Sequence, residues 1–222
     1  MHTSSKIKNE LSELEILGCN ECSDIQYLPE NKRKEIERQV AEDYYRGEMV
    51  SWSNFNFSKQ VLERDIHPEL SPIVVAALEG LIDDKDDPIK RVTIYHQPGS
   101  GGSTTARQIL WNSRMMYRCC VVKNITKQTS EQICRLRNYE ENHEDAKPVL
   151  TLVDTFDEKL VKQLYDDLES ESHKYSCDVF CVLLICMRVS ELPLEKPNNY
   201  VMLQQNLSNN EHDWFKKNIR IY

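Results

Sequence analysis

A chain of 222 residues suggests one domain, or one domain with an attached segment, and its 40% hydrophobic and 29% charged residues are typical of a globular protein. The net charge of −8 argues against a broad nucleic-acid footprint, which needs clustered lysines and arginines. No apolar run approaches the roughly 20 residues that span a bilayer, and residues 1–6 are too polar for a secretory signal.

The eight cysteines indicate a reducing compartment rather than a disulfide framework. Four of them lie inside apolar runs and are interpreted as small core residues: Cys119, Cys120, Cys181 and Cys186. A further pair, Cys19 and Cys22, has the C-x-x-C spacing of half a zinc ribbon, but no second pair follows at a suitable distance. We therefore predict no metal site at Cys19 and Cys22.

The first part of the chain is predicted to be mainly helical. Residues 5–17 carry apolar side chains at helical spacing before Gly18, and residues 31–46 carry a second apolar stripe that ends at Gly47. Aromatic and small polar residues alternate over residues 50–57, which is typical of a half-buried strand or of a loop anchored by its aromatic side chains. Without basic neighbours, packing in the core is favoured over stacking on nucleic-acid bases.

A further helix is predicted to begin at Ser71 and Pro72, since a hydroxyl cap followed by proline is a common helix start. The acidic, proline-ended residues 83–88 then break the pattern and predict a domain boundary. We expect residues 1–88 to form a helical segment with the aromatic-rich strand or loop, and residues 89–222 to form an α/β domain.

Beyond this boundary strands and helices alternate, which indicates a parallel five-stranded sheet flanked by helices. The strand candidates are residues 92–96, 119–123, 149–154, 178–186 and 200–204. The helix candidates are residues 103–116, 130–138 and 158–173, followed by a last helix after Ser208, where Ser208 and Glu211 have the spacing of a capping box.

Residues 92–106 run from an apolar strand through a glycine cluster into a helix, an arrangement in which backbone amides and a helix N-terminus cradle a phosphate. Against the phosphate-loop pattern G-x-x-x-x-G-K-[ST], Gly101 and Ser103 fit, whereas His96 replaces the first glycine and Gly102 replaces the lysine. A tight connection without a ligand is the plain alternative. The predicted phosphate-binding residues are Pro98, Gly99, Ser100, Gly101, Gly102, Ser103 and Thr104.

Asp154 ends a predicted strand, at the carboxyl edge where parallel sheets bind their ligands. With the Ser103 hydroxyl it is the candidate Mg²⁺ site for ATP or another nucleoside triphosphate. Asp157 and Glu158, one turn further, are catalytic candidates that would orient an attacking water. Acidic residues also begin helices because they complement the helix dipole, and that alternative stays open.

The longest apolar run, residues 179–187, predicts a central strand buried on both faces, and Arg188 follows it. An arginine at this edge would contact a γ-phosphate and partly replace the missing lysine, which makes it a catalytic or sensing candidate. The alternative is an ion pair with Asp154 or Glu158 in an empty site.

Several of these stretches together resemble the central NTPase-like region of the vertebrate sterile alpha motif domain-containing protein 9 and 9-like family. They are residues 95–104, 118–124, 152–158 and 186–188. Residues 45–55 are similar to the segment that precedes that region, so the resemblance covers the chain from about Tyr44 onward.

The broader resemblance is to NACHT-type, or STAND, signal-transducing NTPases. Their D-x-x-D-E strand is matched by Asp154, Asp157 and Glu158, and their sensor arginine by Arg188. The missing lysine departs from the general P-loop pattern, although the His-Gln-Pro-Gly-x-Gly-Gly form is typical of the narrower family.

The resemblance implies a cytoplasmic, interferon-linked antiviral and growth-restraining protein that is associated with endosomes and with control of translation. Full-length members of the family also carry a sterile alpha motif, an Alba-like effector region and helical repeats with an OB-like fold, and STAND proteins carry a helical lid and a winged helix. None of these is expected in the present sequence, which we interpret as a fragment or a shortened paralogue.

Three functional hypotheses result. The first is a degenerate nucleotide-binding regulatory module, a switch or self-association unit that works with protein partners in an antiviral or translation-control complex, without direct nucleic-acid binding or membrane insertion. The second is an active ATPase in which Arg188 or Arg107 replaces the missing lysine, although Gly102 puts hydrolysis in doubt. The third is an interaction scaffold that no longer binds a nucleotide.

Overall fold

The computed structural model describes residues 10–57, 60–82, 87–139, 146–175, 177–191 and 199–218, which form a six-stranded, mostly parallel sheet with flanking helices. The strands are β1 (Leu14–Leu17), β2 (Ile89–His96), β3 (Arg118–Val122), β4 (Val149–Thr155), β5 (Cys181–Arg188) and β6 (Tyr200–Leu203). The helices are α1 (Glu30–Tyr45), α2 (Trp52–Asn56), α3 (His67–Leu78), α4 (Gly102–Ser113), α5 (Thr129–Arg137), α6 (Glu158–Ser172) and α7 (Asn209–Asn218), and a 3-10 helix spans Ser23–Tyr27.

Strand β5 lies inside the sheet because it is apolar on both faces. Every residue of the strand except its last, Arg188, is buried, and the strand pairs in parallel with β4 on one side and β2 on the other. Continuous apolar runs of this kind are typical of parallel strands that helices cover on both faces. The strand order is β1-β3-β4-β5-β2-β6, and the predicted α/β fold is confirmed.

The predicted count of five strands is wrong, because β1 adds a sixth strand at the edge of the sheet. The helix predicted over residues 5–17 is therefore wrong at Leu14–Leu17, while residues 5–9 lie outside the described part of the chain. This segment runs antiparallel to β3, with Leu14 opposite Val122. Pairing with β3 buries Leu14 and satisfies backbone groups along an otherwise open edge, so tertiary contacts override the helical spacing.

The aromatic stretch forms the short helix α2 instead of the predicted strand or loop. A capping box between Ser51 and Asn54 begins this helix. Trp52 is buried and donates through Nε1 to the Glu15 carboxylate of β1 at 2.6 Å. Trp52 thus packs within the core, as the sequence analysis favours over stacking on bases.

Helix α3 begins at His67, one turn before the predicted start at Ser71. Pro68 is the proline of its first turn, and Pro72 lies inside the helix. The other predicted helices and the strands β2 to β6 agree with the structure to within about three residues at each end. Among the described residues, none of the helices is both long enough and apolar enough to cross a membrane.

Two apolar layers cover the sheet. On one face α2, α3 and α4 pack against β2 and β5 at residues such as Ile94 and Leu184. On the other face α5 and α6 pack against residues such as Leu183 and Ile185. Leu70 of α3 lies in the same cluster as Ile94, so the segment before β2 contributes to the core that supports the sheet. Residues 83–86 lie outside the described part of the chain, and the predicted division at residue 88 stays a prediction.

A buried ion pair joins α7 to the segment that precedes α3. The Arg64 guanidinium donates to the Glu211 carboxylate at 2.7 Å, and both side chains are less than a tenth exposed. The same carboxylate accepts the backbone amides of Asp65 at 2.9 Å and Ser208 at 2.8 Å. With three donors around it, the Glu211 carboxylate meets the condition under which proteins tolerate a buried charge.

Removing one partner of this pair should destabilise the fold strongly, because the other charge would stay buried and uncompensated. We expect Arg64→Met to lower the free energy of unfolding by about 3–5 kcal/mol in urea titrations followed by circular dichroism. The matched control is Arg38→Met, since Arg38 pairs with Glu42 at 3.0 Å on the surface of α1, where loss of an exposed pair costs about 0–1 kcal/mol. Equal losses in the two variants would contradict the prediction.

The same carboxylate should make stability depend on pH. Burial acts to raise the pKa of Glu211, but the amide of Asp65, the Arg64 side chain and the amide of Ser208 hold it below the usual 4.5. A carboxyl whose pKa is lower in the folded than in the unfolded state contributes stability that is lost as the pH falls through the folded pKa. We expect the free energy of unfolding to fall below about pH 4.5, and Glu211→Gln to reduce that dependence. An unchanged pH profile in Glu211→Gln would show that other groups cause the loss.

Candidate functional site

The glycine-rich turn after β2 has the conformation that its glycines allow. Strand β2 ends at His96, and α4 begins at Gly102. Gly99 and Gly101 have φ angles of +77° and +86°, in the left-handed region that a side chain disfavours. The Ser100 hydroxyl closes the turn by donating to the carbonyl of Gln97 at 2.8 Å.

The N-terminus of α4 presents backbone amides that have no partner within the helix. Gly101 occupies the N-cap position and, as a glycine, supplies no side-chain cap. The amide of Thr105 bonds to the carbonyl of Gly101, as in a regular first turn, and the amides before it point out of the helix end. Amides in this position, together with the helix dipole, are what phosphate-binding helices use.

The two departures from the phosphate-loop pattern compensate each other. A Cβ atom on Gly102 would lie 2.3 Å from Cγ of the His96 ring, closer than any real contact. The imidazole, which is 3% exposed, therefore fills the space that a lysine side chain would need at its root. Histidine at the first position and glycine at the lysine position form one steric unit, because the His96 ring leaves no room for a side chain at position 102.

Four polar side chains lie on one face of the sheet at its carboxyl edge. Asp154 of β4 pairs in register with Cys186 of β5, and Arg188 of β5 pairs with His96 of β2. Residues two apart on a strand share a face of the sheet. All four side chains therefore lie on the same face as the apolar residues of these strands that pack against α4. The structure therefore brings together the predicted Mg²⁺ ligand Asp154, the predicted sensor Arg188 and the phosphate loop.

The predicted metal ligand Ser103 lies beside the same cluster. Its hydroxyl is hydrogen-bonded to the Cys186 thiol, and the Asp154 carboxylate is near enough to act on that thiol electrostatically. Burial raises the pKa of the Cys186 thiol, and Asp154 raises it further, so the thiol is protonated at neutral pH. Ser103 and Asp154 thus both lie near the Cys186 thiol, and their role as Mg²⁺ ligands stays a prediction.

The two candidate arginines have different surroundings. Arg188 is exposed at the end of β5. Arg107 is buried in α4, where its guanidinium donates to Glu15 at 3.0 Å and lies 4.8 Å from the centre of the Trp52 ring. Arg107 is therefore engaged in structural contacts, and Arg188 is the better candidate for a phosphate contact.

Asp157 and Glu158 stand at the start of α6. The Asp157 carboxylate accepts the amides of Lys159 at 2.9 Å and Leu160 at 3.4 Å, so it is the N-cap of the helix. This is the helix-start role that the sequence analysis holds open. Glu158 is the first residue of α6 and is exposed.

A large cavity lies on the opposite face of the sheet. Its volume is about 750 Å³, and the face that it occupies is that of α6, since Arg91, Tyr95 and Met187 line it together with Tyr165. Glu158 borders this cavity. The cavity is thus separate from the turn that joins β2 to α4.

Two residues that contact the turn are not found by sequence reasoning. Arg64 donates through Nη1 to the carbonyl of Ser100, inside the glycine-rich turn. Burial raises the pKa of Tyr44, although a hydrogen bond to the Thr104 hydroxyl acts to lower it. Tyr44 belongs to the apolar stripe of α1 that the sequence shows, but no pattern indicates what the stripe packs against.

The fold and this site define the class of the protein, a mixed α/β protein with a phosphate-loop-like turn at the carboxyl edge of its sheet. No family model matches the chain. In sequence it is 32% identical over 226 residues to the sterile alpha motif domain-containing protein 9-like of Mus musculus and 33% identical over 199 residues to that of Homo sapiens. It is 32% identical over 218 residues to the human sterile alpha motif domain-containing protein 9.

These alignments cover 95%, 82% and 90% of this chain, respectively, but only 14%, 12% and 13% of the three relatives. The chain is therefore homologous to the sterile alpha motif domain-containing protein 9 and 9-like family over most of its own length, and the family named from its motifs is confirmed.

Two solved structures show a distant likeness. The structure of C. elegans PCH-2 is 12% identical, with a TM-score of 0.44, over 73% of this chain and 47% of that chain. A structure that describes katanin self-assembly is 10% identical, with a TM-score of 0.35, over 92% of this chain and 61% of that chain. TM-scores this low support no argument about function.

Restoring the lysine should destabilise the protein unless the histidine is removed as well. We expect Gly102→Lys to lower the free energy of unfolding by roughly 1–3 kcal/mol, because its Cβ overlaps the His96 ring. In a double-mutant cycle with His96→Gly, urea unfolding should give a favourable coupling of about 0.5–3 kcal/mol between the two changes. Gln108→Lys, on the same helix, is the control and should show no coupling to His96→Gly. Additive effects at positions 96 and 102 would contradict the steric unit.

Proposed function

We propose that the chain is a degenerate nucleotide-binding module that binds ATP or a related nucleoside triphosphate with Mg²⁺. The phosphates lie against residues 98–104, and Ser103 and Asp154 hold the Mg²⁺ ion. Arg188 approaches the terminal phosphate from β5. The observation that carries the proposal is the N-terminus of α4, which directly follows two left-handed glycines and whose Ser103 lies, like Asp154, near the Cys186 thiol.

The residues present suit both parts of the ligand. Two oxygen donors and water are the ligands that Mg²⁺ takes beside a bound triphosphate, and its chemistry here would be to neutralise charge on the phosphate oxygens. The missing lysine removes a charge-assisted contact worth roughly 1.5–3 kcal/mol, which corresponds to about a tenfold to a hundredfold loss of affinity. The module is therefore expected to bind the nucleotide weakly rather than to have lost nucleotide binding.

The same geometry favours a regulatory role over turnover. Asp157 is occupied as a helix cap, Arg107 pairs with Glu15, and no cation replaces the lysine at position 102. Without these groups the acceleration of phosphoryl transfer has little support, because such catalysis rests on charge neutralisation and positioning. The module would act as a nucleotide-dependent switch or self-association unit in a cytoplasmic, antiviral and growth-restraining protein, as proposed from the family.

Nucleotide binding should raise thermal stability in proportion to occupancy. At an ATP concentration about ten times Kd, with Mg²⁺ present, the free energy of unfolding rises by about 1.4 kcal/mol, which is roughly 3–6 °C in Tm for a chain of this size. We expect Asp154→Ala to lose more than half of this shift in a thermal-shift titration up to millimolar ATP. Asp178→Ala is the matched control, since it removes an exposed carboxylate that precedes β5, at the opposite edge of the sheet.

Equal shifts in wild type and Asp154→Ala would remove the assigned metal ligand from the proposal. If wild type showed no shift, and calorimetry no heat, with ATP, ADP or GTP at millimolar concentration, the interaction scaffold would be the better description. Phosphate release that disappears in Glu158→Gln would instead support the active ATPase.

A further inference from the structure

One buried nitrogen at the site has no structural explanation. The His96 Nε2 atom is buried and has no hydrogen-bond partner among the described residues. The other ring nitrogen, Nδ1, lies 3.1 Å from the carbonyl oxygen of Gln97. A carbonyl can only accept, so Nδ1 carries the proton and Nε2 of the neutral ring presents a lone pair. Buried polar atoms nearly always have a partner, so an unpaired one at a candidate site suggests a missing ligand.

Two other donor groups lie near the His96 ring. One ligand atom each from His96, Asp154 and Cys186 lies within 4.8 Å of the other two. His96 and Cys186 are buried, whereas Asp154 is exposed and free to adjust its rotamer. Tetrahedral zinc sites hold their ligand atoms roughly 3.4–3.8 Å apart, as follows from metal–ligand distances near 2.1–2.3 Å. Since His96 and Cys186 are packed in place, closing the cluster around one ion would depend mainly on movement of the Asp154 side chain.

We propose that His96 Nε2, the Asp154 carboxylate and the Cys186 thiolate bind a transition-metal ion of the zinc type. A nitrogen, a sulfur and an oxygen form the donor set that zinc prefers, whereas Mg²⁺ prefers oxygen alone. Three protein ligands leave the fourth tetrahedral position open to water or to another oxygen ligand, as in zinc sites with an exchangeable ligand. The Nδ1 contact with Gln97 is the outer hydrogen bond that orients most metal-bound histidines.

The charges of the ligands support a divalent ion. A thiolate and a carboxylate together cancel the two positive charges of the metal, so the buried complex is neutral. Binding displaces the proton from Cys186, which burial otherwise retains. The ion would also lie beside the phosphate loop and supply positive charge that Gly102 lacks. That last consequence rests on the proposed nucleotide site, whereas metal binding does not.

Cobalt titration of the whole 222-residue chain tests the proposal, because Co²⁺ substitutes for zinc and a cobalt–thiolate bond absorbs in the near ultraviolet. The reference protein carries Cys19→Ser and Cys22→Ser, so that the C-x-x-C pair cannot contribute a signal. Nucleotide is omitted. We expect saturable thiolate-to-cobalt absorption together with the visible bands of tetrahedral Co²⁺, and Zn²⁺ should displace both.

The ligand variants then identify the site. Cys186→Ser should abolish the charge-transfer band, and Asp154→Asn should weaken Co²⁺ affinity by at least about 100-fold, since the loss of a mere outer-shell partner already costs roughly 10–100-fold. Cys181→Ser is the matched control, because Cys181 is a buried thiol of the same strand on the other face of the sheet. Circular dichroism checks that each variant is folded, and the exposed position of Asp154 makes its variant the safer one. A band that survives in Cys186→Ser, or no band at millimolar Co²⁺, would overturn the proposal.

The metal and the nucleotide can be tested separately. Cys186→Ser keeps Ser103, Asp154 and the loop, so its Mg-ATP thermal shift should persist while its cobalt band is lost. If the reference protein binds Co²⁺ but shows no nucleotide shift, the metal site stands and the proposed function fails. If the reference protein shows a nucleotide-dependent thermal shift but no cobalt band, the proposed function stands and the metal site fails.

Discussion

The contact between the His96 ring and Gly102 is the constraint on which the rest of the site depends. It explains why the lysine is absent, because the imidazole occupies the space in which that side chain would begin. The same ring lies near Asp154 and Cys186. In the sequence, His96 and Gly102 look like the loss of a phosphate-loop motif. In the structure, they form a closely packed arrangement with donor atoms of its own.

The segment before β2 holds this turn in place. Arg64 contacts the carbonyl of Ser100 and is itself fixed by Glu211 of α7, so a buried ion pair between the segment before α3 and α7 lies against the loop. Tyr44 contacts Thr104, and Glu15 of β1 engages Arg107 of α4. Since these contacts come from α1, β1 and α7, the phosphate-loop conformation depends on packing well outside the strand–turn–helix unit. A nucleotide that moved the loop would disturb the same contacts, which is a physical route from binding to regulation.

The proposed ligands make different demands on the same edge of the sheet. A phosphate would use amides at the N-terminus of α4, and Mg²⁺ would use Ser103 and Asp154, whereas a zinc-type ion would use His96, Asp154 and Cys186. Asp154 is shared, so the two metal ions would compete or share this carboxylate. The large cavity under α6 is not part of any of these sites, because it opens on the opposite face of the sheet.

The sequence by itself determined the alternating α/β order, the strand ends at Asp154 and Arg188, and the glycine-rich turn, because apolar runs, glycines and helix caps act over a few residues. It did not determine that Leu14–Leu17 is a strand, since the partner that makes it one, β3, lies about a hundred residues away in the chain. Nor did it identify Cys186 as a candidate ligand, because Cys186 lies within an apolar run and looks like a core residue. It did not identify Arg64 as a support of the turn, because Arg64 lies in a loop far from the motif in the chain. Contacts between residues far apart in the chain are decided only by the tertiary structure. In the sheet they depend on strand register, because register sets which side chains share one face.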